Sequence, residues 1–414
     1  QMIDTDKFKE IWQTITRNKT RSTLTAFGVF WGMFMFIVLI GIGKGFETGL
    51  KKNVGDIAPN SMFVFGGQTS IAYKGLNAGR FWRMNNEDLE ILKKQLPEIE
   101  NISGMVFAGM TSKTTRNDKS GDFSYRGNDH IYYNIEHQTV LHGRVFNQLD
   151  LKEKRKVCVL GNKVYDQLFN PGEDPVGQSI CMGGIYYVVV GVVKPSGNLN
   201  FGGDGGSTIY IPTTTLQQLF NRGNDVDIVA ISAGDDVKIK DLEKKVSEIL
   251  KIKHRIAPED QKAVNTFNLQ DMFLMFKYLF LGINILIWIV GMGTLLAGVI
   301  GISNIMLVSV KERTNEIGIK RALGAKPSVI TNQIVWESLM LTFIAGFAGM
   351  FFGILVLVIT ETVVTDAEMF SNPTISFTMA IVSAVIIVLS GLLAGIIPAK
   401  SAIKIKAIDA LRDE

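Results

Sequence analysis

The sequence predicts an α-helical membrane protein with four transmembrane helices and a large α+β domain inserted between the first two. Apolar residues, 47% of the 414-residue chain, gather into a few uncharged runs. Each run can cross a bilayer, because a spanning helix needs about 20 apolar residues. About 230 residues of mixed composition separate the first two runs, enough to bury a core of their own. The runs are Leu24–Gly43, Leu279–Val310, Leu339–Thr360 and Met369–Ala399.

The domain order follows from these runs. A cytoplasmic amphipathic helix precedes the first span, because Phe8, Ile11, Trp12 and Ile15 form one apolar face typical of an interfacial helix. The extracytoplasmic domain and three further spans follow, with two short loops and a cytoplasmic tail. The expected segments are 1–22, 23–44, 45–277, 278–310, 311–328, 329–360, 361–374, 375–399 and 400–414.

Basic residues predict the orientation. Five Lys or Arg residues precede the first span, five lie between the second and third spans, and four follow the last. The loop 361–374 has none and carries Glu361, Asp366 and Glu368. Positive charge marks cytoplasmic loops, so we expect a multi-pass inner (plasma) membrane protein with both termini cytoplasmic. The net charge of +4 reflects this asymmetry and does not indicate nucleic-acid binding.

The inserted domain has an α+β pattern. We expect two βαβ units, at about 60–110 and 225–257, flanking a β-rich part at 111–224. In the first unit, Asn85 or Asn86 caps the helix. In the second, Asp235 or Asp236 caps the helix and Ile252–Ile256 is the return strand. The strands expected in the β-rich part are Lys156–Leu160, Gln178–Met182, Tyr186–Val193 and Thr208–Ile211, and Gly197–Gly206 is expected to be a flexible connector.

Motifs for catalysis and cofactor binding are missing from the sequence. It has no Gly-x-x-x-x-Gly-Lys-Ser/Thr, no His-Glu-x-x-His and no Gly-x-Ser-x-Gly. The four histidines are scattered, and a metal site built on His137 and His142 is disfavoured. A Cys158–Cys181 disulfide is an alternative to two free thiols, which we favour. We therefore expect a non-enzymatic chain that binds no cofactor or metal.

Two features inside the spans have alternative interpretations. Gly293, Ala297 and Gly301 recur every four residues, which suits a seam between two copies, or else packing within one protomer. Ala345, Gly349 and Gly353 allow the same two interpretations equally. Glu337 lies about one turn inside the third run. We expect it to reach the cytoplasmic surface or bond to its helix neighbours, with an ion or proton site as the alternative.

The most informative stretch lies between the second and third spans. Lys311–Ala325 is a short charged segment held between two membrane helices. Its motif resembles that of the MacB/FtsX-type permeases, which are membrane subunits of ABC transporters. The matching residues are Glu312, Arg313, Glu316, Ile317, Gly318, Arg321, Ala322, Gly324 and Ala325. The resemblance extends over nearly the whole chain, through Val159–Gly161 and Asp174–Gly177 in the inserted domain and Ala410–Arg412 near the end.

The resemblance implies a mechanism. The segment would be a coupling helix that docks in a groove of a cytoplasmic ATPase. Its charges, including Lys320, would set the register, Ile317 would be the apolar anchor, and Gly324 would lie near the helix end. About 22 residues precede the first span, so we expect a separate ATPase subunit to bind ATP and Mg²⁺.

Expected partners are a second permease copy, with a sibling permease as the alternative, and the lipid membrane. A periplasmic adaptor and an outer-membrane duct would serve export of a periplasmic substrate. Transmembrane control of a cell-wall hydrolase, as in FtsX-like members, and lipoprotein release are the alternatives.

Overall fold

The computed structural model describes residues 19–109, 111–197, 203–363 and 370–404. The chain divides into two compact units. One comprises Gln1–Leu50 with Tyr278–Glu414, and the other comprises Lys51–Lys277. Most of the expected helix at 1–22, the tail from residue 405 and part of the loop 361–374 lie outside the described residues. They include the expected motif Ala410–Arg412.

Eleven α-helices form in the described part of the chain. They are α1 (Lys19–Val54), α2 (Asn86–Gln95), α3 (Tyr132–Ile135), α4 (Gln148–Lys152), α5 (Asn162–Leu168), α6 (Thr213–Leu219), α7 (Ile239–Lys253), α8 (Leu269–Glu312), α9 (Thr314–Ala322), α10 (Pro327–Val363) and α11 (Phe377–Ile403). Four of them, α1, α8, α10 and α11, are long and apolar enough to cross a membrane. Helix α1 continues about ten residues past its expected end at 44, and α8 begins about nine residues before 278.

All four spanning helices contribute to the core of the membrane unit. Small residues bring the backbones close: a Cβ added to Gly298 on α8 would lie 2.9 Å from the carbonyl carbon of Gly28 on α1. Ser338 on α10 donates a hydrogen bond of 3.0 Å to the carbonyl of Gly391 on α11. Such close approach is how helices associate without a hydrophobic drive between them. Buried residues of one shared cluster are Val29, Val299, Ile302, Ala345 and Ala394.

Thirteen strands form in the described part of the inserted unit. They are β1 (Ser61–Gly66), β2 (Met84–Asn85), β3 (Ile99–Phe107), β4 (Ser112–Arg116), β5 (Lys119–Asn128), β6 (Thr139–Gly143), β7 (Val157–Gly161), β8 (Ser179–Met182), β9 (Ile185–Lys194), β10 (Thr208–Pro212), β11 (Asp225–Val226), β12 (Ile228–Ala233) and β13 (Val264–Asn268). The four strands expected in the β-rich part correspond to β7, β8, β9 and β10.

The two expected βαβ units interleave in one sheet. Strand order is β3-β12-β1-β13 and every neighbouring pair is antiparallel, which is the split βαβ arrangement of ferredoxin-like folds. Asn85 caps α2 in a capping box with Asp88. The expected caps of the second helix are wrong, because α7 begins later, after Lys238. The expected return strand Ile252–Ile256 is also wrong: the apolar face of α7 continues to Leu250, the helix runs to Lys253, and β13 supplies the strand.

The middle part closes into a barrel. Strands β5, β10, β7, β9, β8 and β4 pair in that order, and β4 pairs with β5 to complete the ring. Strand β3 continues the ring into the other sheet through β5. Tyr187 and Val189 on β9 point into the barrel core, while Tyr186 and Val188 are exposed, the alternation of a strand with one buried face.

The inserted unit contains the glycine-rich connector and both cysteines. Residues 198–202 of the expected connector Gly197–Gly206 lie outside the described residues. A 3₁₀ turn forms at Gly205–Ser207, and the side chain of Asp204 caps it. Cys158 and Cys181 are both free thiols. Burial raises the pKa of the Cys158 thiol, so this group is inert toward oxidation and metals.

Candidate functional site

Helix α9 is a nine-residue helix at the turn between two spanning helices. Arg313, with φ −100° and ψ 17°, separates it from α8. At the other end Gly324 has φ +92°. Its N–H bonds to the Arg321 carbonyl, and the N–H of Ala325 bonds to the Lys320 carbonyl, both at 3.0 Å. This is a Schellman motif, which favours glycine because a left-handed residue with a Cβ is strained. Both ends of α9 are therefore fixed by local geometry.

The inner face of α9 packs against its own chain. Ile317 is 8% exposed and Gly318 is buried. Ile317 belongs to a cluster formed with residues of α8, α10 and α11, which are Val310, Ile330, Ile334, Ala399 and Ala402. The expectation that Ile317 is an apolar anchor for a partner is therefore wrong. Arg313, Ile317 and Arg321 do share a helix face, but that face looks inward.

Arg313 joins two carboxylates. Its Nε donates to Glu316 at 2.9 Å, and its Nη1 donates to the two carboxylate oxygens of Glu337 at 3.1 and 3.3 Å. Burial lowers the pKa of Arg313, but the bonds to Glu316 and the charge of Glu337 outweigh it, so the pKa is raised. The guanidinium therefore stays charged although its side chain is only 21% exposed.

Glu337 is 4% exposed and lies on α10, where Gln333, one turn earlier, also donates to it at 3.4 Å. Glu337 therefore bonds to a helix neighbour, which is one of the two arrangements expected from the sequence, and it does not reach the cytoplasmic surface. A buried carboxylate needs a charged or hydrogen-bonding partner, and Arg313 supplies it. Sequence reasoning missed this pair because the two residues are 24 positions apart and lie on different elements.

Arg321 closes the inner face at its far end. Its Nη1 donates a hydrogen bond of 2.9 Å to the carbonyl of Ile403, the last residue of α11. A cation at a helix C-terminus satisfies an otherwise orphaned carbonyl and complements the helix dipole. Helix α9 is thus tied to α10 by an ion pair and to α11 by a charged hydrogen bond.

The outer face of α9 carries an exposed apolar pair. Ile319 is 46% exposed and Leu323 is 84% exposed. They are four positions apart, which places them next to each other on the helix surface. Sequence reasoning missed them because Ile317 was given the anchoring role. Of the expected site residues, Glu312, Glu316, Ala322 and Gly324 are exposed, and Lys320, Arg321, Arg313 and Ala325 are half-buried.

The expected dimer seam faces away from the rest of the protomer. Gly293 and Ala297 are exposed, and a Cβ added to Gly293 or Gly301 would meet nothing within 4 Å. Other glycines of α8, among them Gly298, make the contacts within the protomer. The stripe of Ala345, Gly349 and Gly353 is buried, and its glycines lie against α1, so its packing is internal.

Potential metal ligands are not clustered in the described part of the chain. Among the described residues, no three His, Cys, Asp or Glu side chains are grouped so as to hold a metal ion. Charged side chains at α9 bond to each other and to neighbouring helices, through Arg313–Glu316, Arg313–Glu337 and Arg321–Ile403.

Comparisons with known proteins agree with this arrangement. Residues 22–249 match the MacB-like periplasmic core domain, and residues 274–407 match the FtsX-like permease C-terminal domain. The chain belongs to the MacB/FtsX-type ABC transporter permeases. It is accordingly a transmembrane ABC transporter subunit in the inner membrane, with a periplasmic domain.

Curated relatives match over almost the whole permease. The pyoverdine export ATP-binding/permease protein PvdT of Pseudomonas putida is 26% identical over 409 residues, which is 99% of this chain and 60% of that protein. The macrolide export ATP-binding/permease protein MacB of Bdellovibrio bacteriovorus is 27% identical over 405 residues, 97% of this chain and 61% of that protein. The permease thus spans about 60% of the length of these relatives. The periplasmic region of MacB from Actinobacillus actinomycetemcomitans aligns with a TM-score of 0.43 at 20% identity, covering 53% of this chain and 94% of that one.

Proposed function

We propose that this permease couples ATP hydrolysis by a separate cytoplasmic ATPase to movement of its periplasmic domain, and that this movement drives export of a periplasmic substrate. The observation that carries the proposal is α9, a short helix whose inner face is tied to two other helices while its outer face is exposed. ATP and Mg²⁺ bind to the ATPase, since the 414 residues contain no Gly-x-x-x-x-Gly-Lys-Ser/Thr motif.

The outer face of α9 is the proposed docking surface. Leu323 and Ile319 enter an apolar groove of the ATPase, because exposed large apolar side chains on a short rigid helix are the usual anchors of a helix-in-groove contact. Glu312 and Glu316 lie on the exposed side and fix the register by charge. This assignment replaces Ile317 with Leu323 as the principal anchor.

Force from the ATPase passes through the inner face of α9. The Arg313–Glu337 ion pair leads to α10, and the Arg321–Ile403 hydrogen bond leads to α11. A displacement of α9 by a partner therefore moves spanning helices without requiring a substrate path through the membrane.

Each ATPase subunit docks on one permease, so two ATPases act together only when two permeases are paired. We therefore propose a homodimer, with a heterodimer of sibling permeases as the alternative. The open stripe of Gly293, Ala297 and Gly301 on α8 is the proposed seam. The proposal also places both termini in the cytoplasm, which the basic flanks support.

A periplasmic adaptor and an outer-membrane duct are the proposed export partners. Export is favoured over control of a cell-wall hydrolase because residues 22–249, which include most of the inserted domain, match the MacB-like periplasmic core domain. The relatives named above are export proteins for pyoverdine and macrolides. The substrate of this permease is left unassigned, and lipoprotein release remains a second alternative.

Affinity purification with mass spectrometry tests the proposal. The tagged chain is extracted from its native membrane beside two variants. Leu323→Asp alters the docking surface, and Ile252→Asp alters an equally exposed side chain (78%) of the periplasmic domain. An ATPase that accompanies the wild type and the Ile252 variant, but not the Leu323 variant, supports the proposal. No ATPase with the wild type refutes it. An adaptor in the same sample favours export, whereas a wall hydrolase favours the regulatory alternative.

A further inference from the structure

Glu337 is the most deeply buried charged residue in the membrane unit among the described residues, with 4% exposure. It lies ten positions after the first residue of α10, about 15 Å along the helix. An acid at this depth is costly, and its retention calls for a role. The open cleft around it is lined by residues of α8, α9 and α10, including Ser309, Val310 and Ile334. Arg313 bonds to the carboxylate from across this cleft, and Glu316 and Lys320 of α9 also line the cleft.

Arg313 stands at the junction of α8 and α9. Its one side chain contacts the first turn of α9 through Glu316 and the interior of α10 through Glu337. Because the guanidinium is planar, holding its Nη1 on the Glu337 carboxylate restricts the direction in which its Nε donates to Glu316. The position of Glu337 therefore sets the angle at which α9 leaves α8.

We propose that Glu337 is a positioning residue, which acts through Arg313 to hold the docking helix α9 at a fixed angle so that force on α9 reaches α10. Glu337 does not bind the ATPase. The transfer of force from α9 to α10 rests on the proposed function, whereas the effect of Glu337 on the position of α9 can be measured without any partner.

The first test is hydrogen exchange in the purified permease in lipid nanodiscs. Glu337→Gln keeps the size of the side chain and removes its charge. Amides of α9 are expected to exchange about tenfold faster, because the attraction between opposite charges that holds Arg313 at residue 337 is lost. Ser383→Ala is the matched control, since it removes one buried polar group of α11 that bonds only within its own helix, to the Met379 carbonyl.

The second test uses the ATPase that copurifies with the wild type. Glu337→Gln is expected to retain this ATPase and its KM for ATP, while the kcat of the complex falls about tenfold.

The inference is overturned if Glu337→Gln behaves like Ser383→Ala in both tests, or if exchange rises equally across α8, α10 and α11, which indicates a general role in folding. If no ATPase accompanies the wild type, the proposed function fails, while the exchange measurement still decides the role of Glu337.

Discussion

The guanidinium of Arg321 donates a 2.9 Å hydrogen bond to the carbonyl of Ile403, joining α9 to the last turn of α11. Of the residues in the family motif, Arg321 and Arg313 are directed inward, and each reaches a different spanning helix. These two cations hold α9 in place, whereas Glu312 and Glu316 are exposed.

Arg321→Ala is expected to loosen the end of α11. Loss of this exposed bond leaves a carbonyl of the last turn to water and removes a cation from the helix end, at a cost of about 0.3–1 kcal/mol. Exchange of amides in the segment Ala399–Ile403 should rise, as measured by mass spectrometry. Lys326→Ala, which alters an exposed cation just after α9, is the control. Equal exchange in the two variants would show that the bond does not order this end of α11.

Gly298→Ala is expected to destabilise the membrane unit. The added methyl would lie 2.9 Å from backbone atoms of α1, so the two helices must separate, which costs about 1–3 kcal/mol. Gly282→Ala is the control, because nothing lies within 4 Å of its added methyl and alanine favours the helix by about 1 kcal/mol. Thermal unfolding in detergent should show a lower midpoint for the first variant only. A midpoint as high as that of the control would contradict the close packing of α1 on α8.

A cysteine at position 297 is expected to form a disulfide between two copies. The experiment uses Ala297→Cys in a chain whose Cys158 and Cys181 are replaced by serine. Met292→Cys is the control, since it is exposed on the same helix but lies about 140° away. Gel mobility after mild oxidation should show a dimer for position 297. Dimers at position 292 alone would move the seam to another face of α8.

The pH dependence of the periplasmic domain should include Glu173. A backbone hydrogen bond from Asn170 and the bond from Arg116 lower the pKa of Glu173 to about 2, from 4.5. Because the folded pKa is below the unfolded value, the stabilisation is complete above about pH 4.5 and is lost as the pH falls toward 2. Glu173→Gln should therefore lower the unfolding midpoint at pH 7 and approach the wild type at pH 3. Glu248→Gln, at an exposed position of α7, is the control. If the unfolding midpoint of Glu173→Gln lies below that of the wild type by the same amount at every pH, the charge of Glu173 is not the cause.

The sequence was sufficient for the spans and the fold class but not for the strand pairing. Apolar runs and basic flanks are local signals, and so is the helix cap at Asn85, one of the two caps that the sequence predicts for α2. The pairing of Phe63 with Ala230 joins β1 to β12 across most of the domain, and no local pattern reports such a contact. This long-range pairing is why the sequence predicts two βαβ units but not that their strands interleave in one sheet.

The family motif predicts where α9 lies in the sequence, but it does not predict which face of the helix packs against the rest of the chain. Helical spacing placed Arg313, Ile317 and Arg321 on one face, as found. Spacing alone does not say whether a face looks toward a partner or toward the rest of the chain. That choice depends on residues far along the sequence, chiefly Glu337 and Ile403, which meet this face only once α10 and α11 have packed.

The most direct test of the account is photo-crosslinking from position 323. A photoreactive amino acid is incorporated there in living cells, and at position 252 of the periplasmic domain as the control, and crosslinked partners are identified by mass spectrometry. The account predicts an ATP-binding subunit captured from position 323 and not from position 252. Capture of lipid alone from position 323, in cells where the ATP-binding subunit is present, would contradict the assignment of α9 as the docking helix.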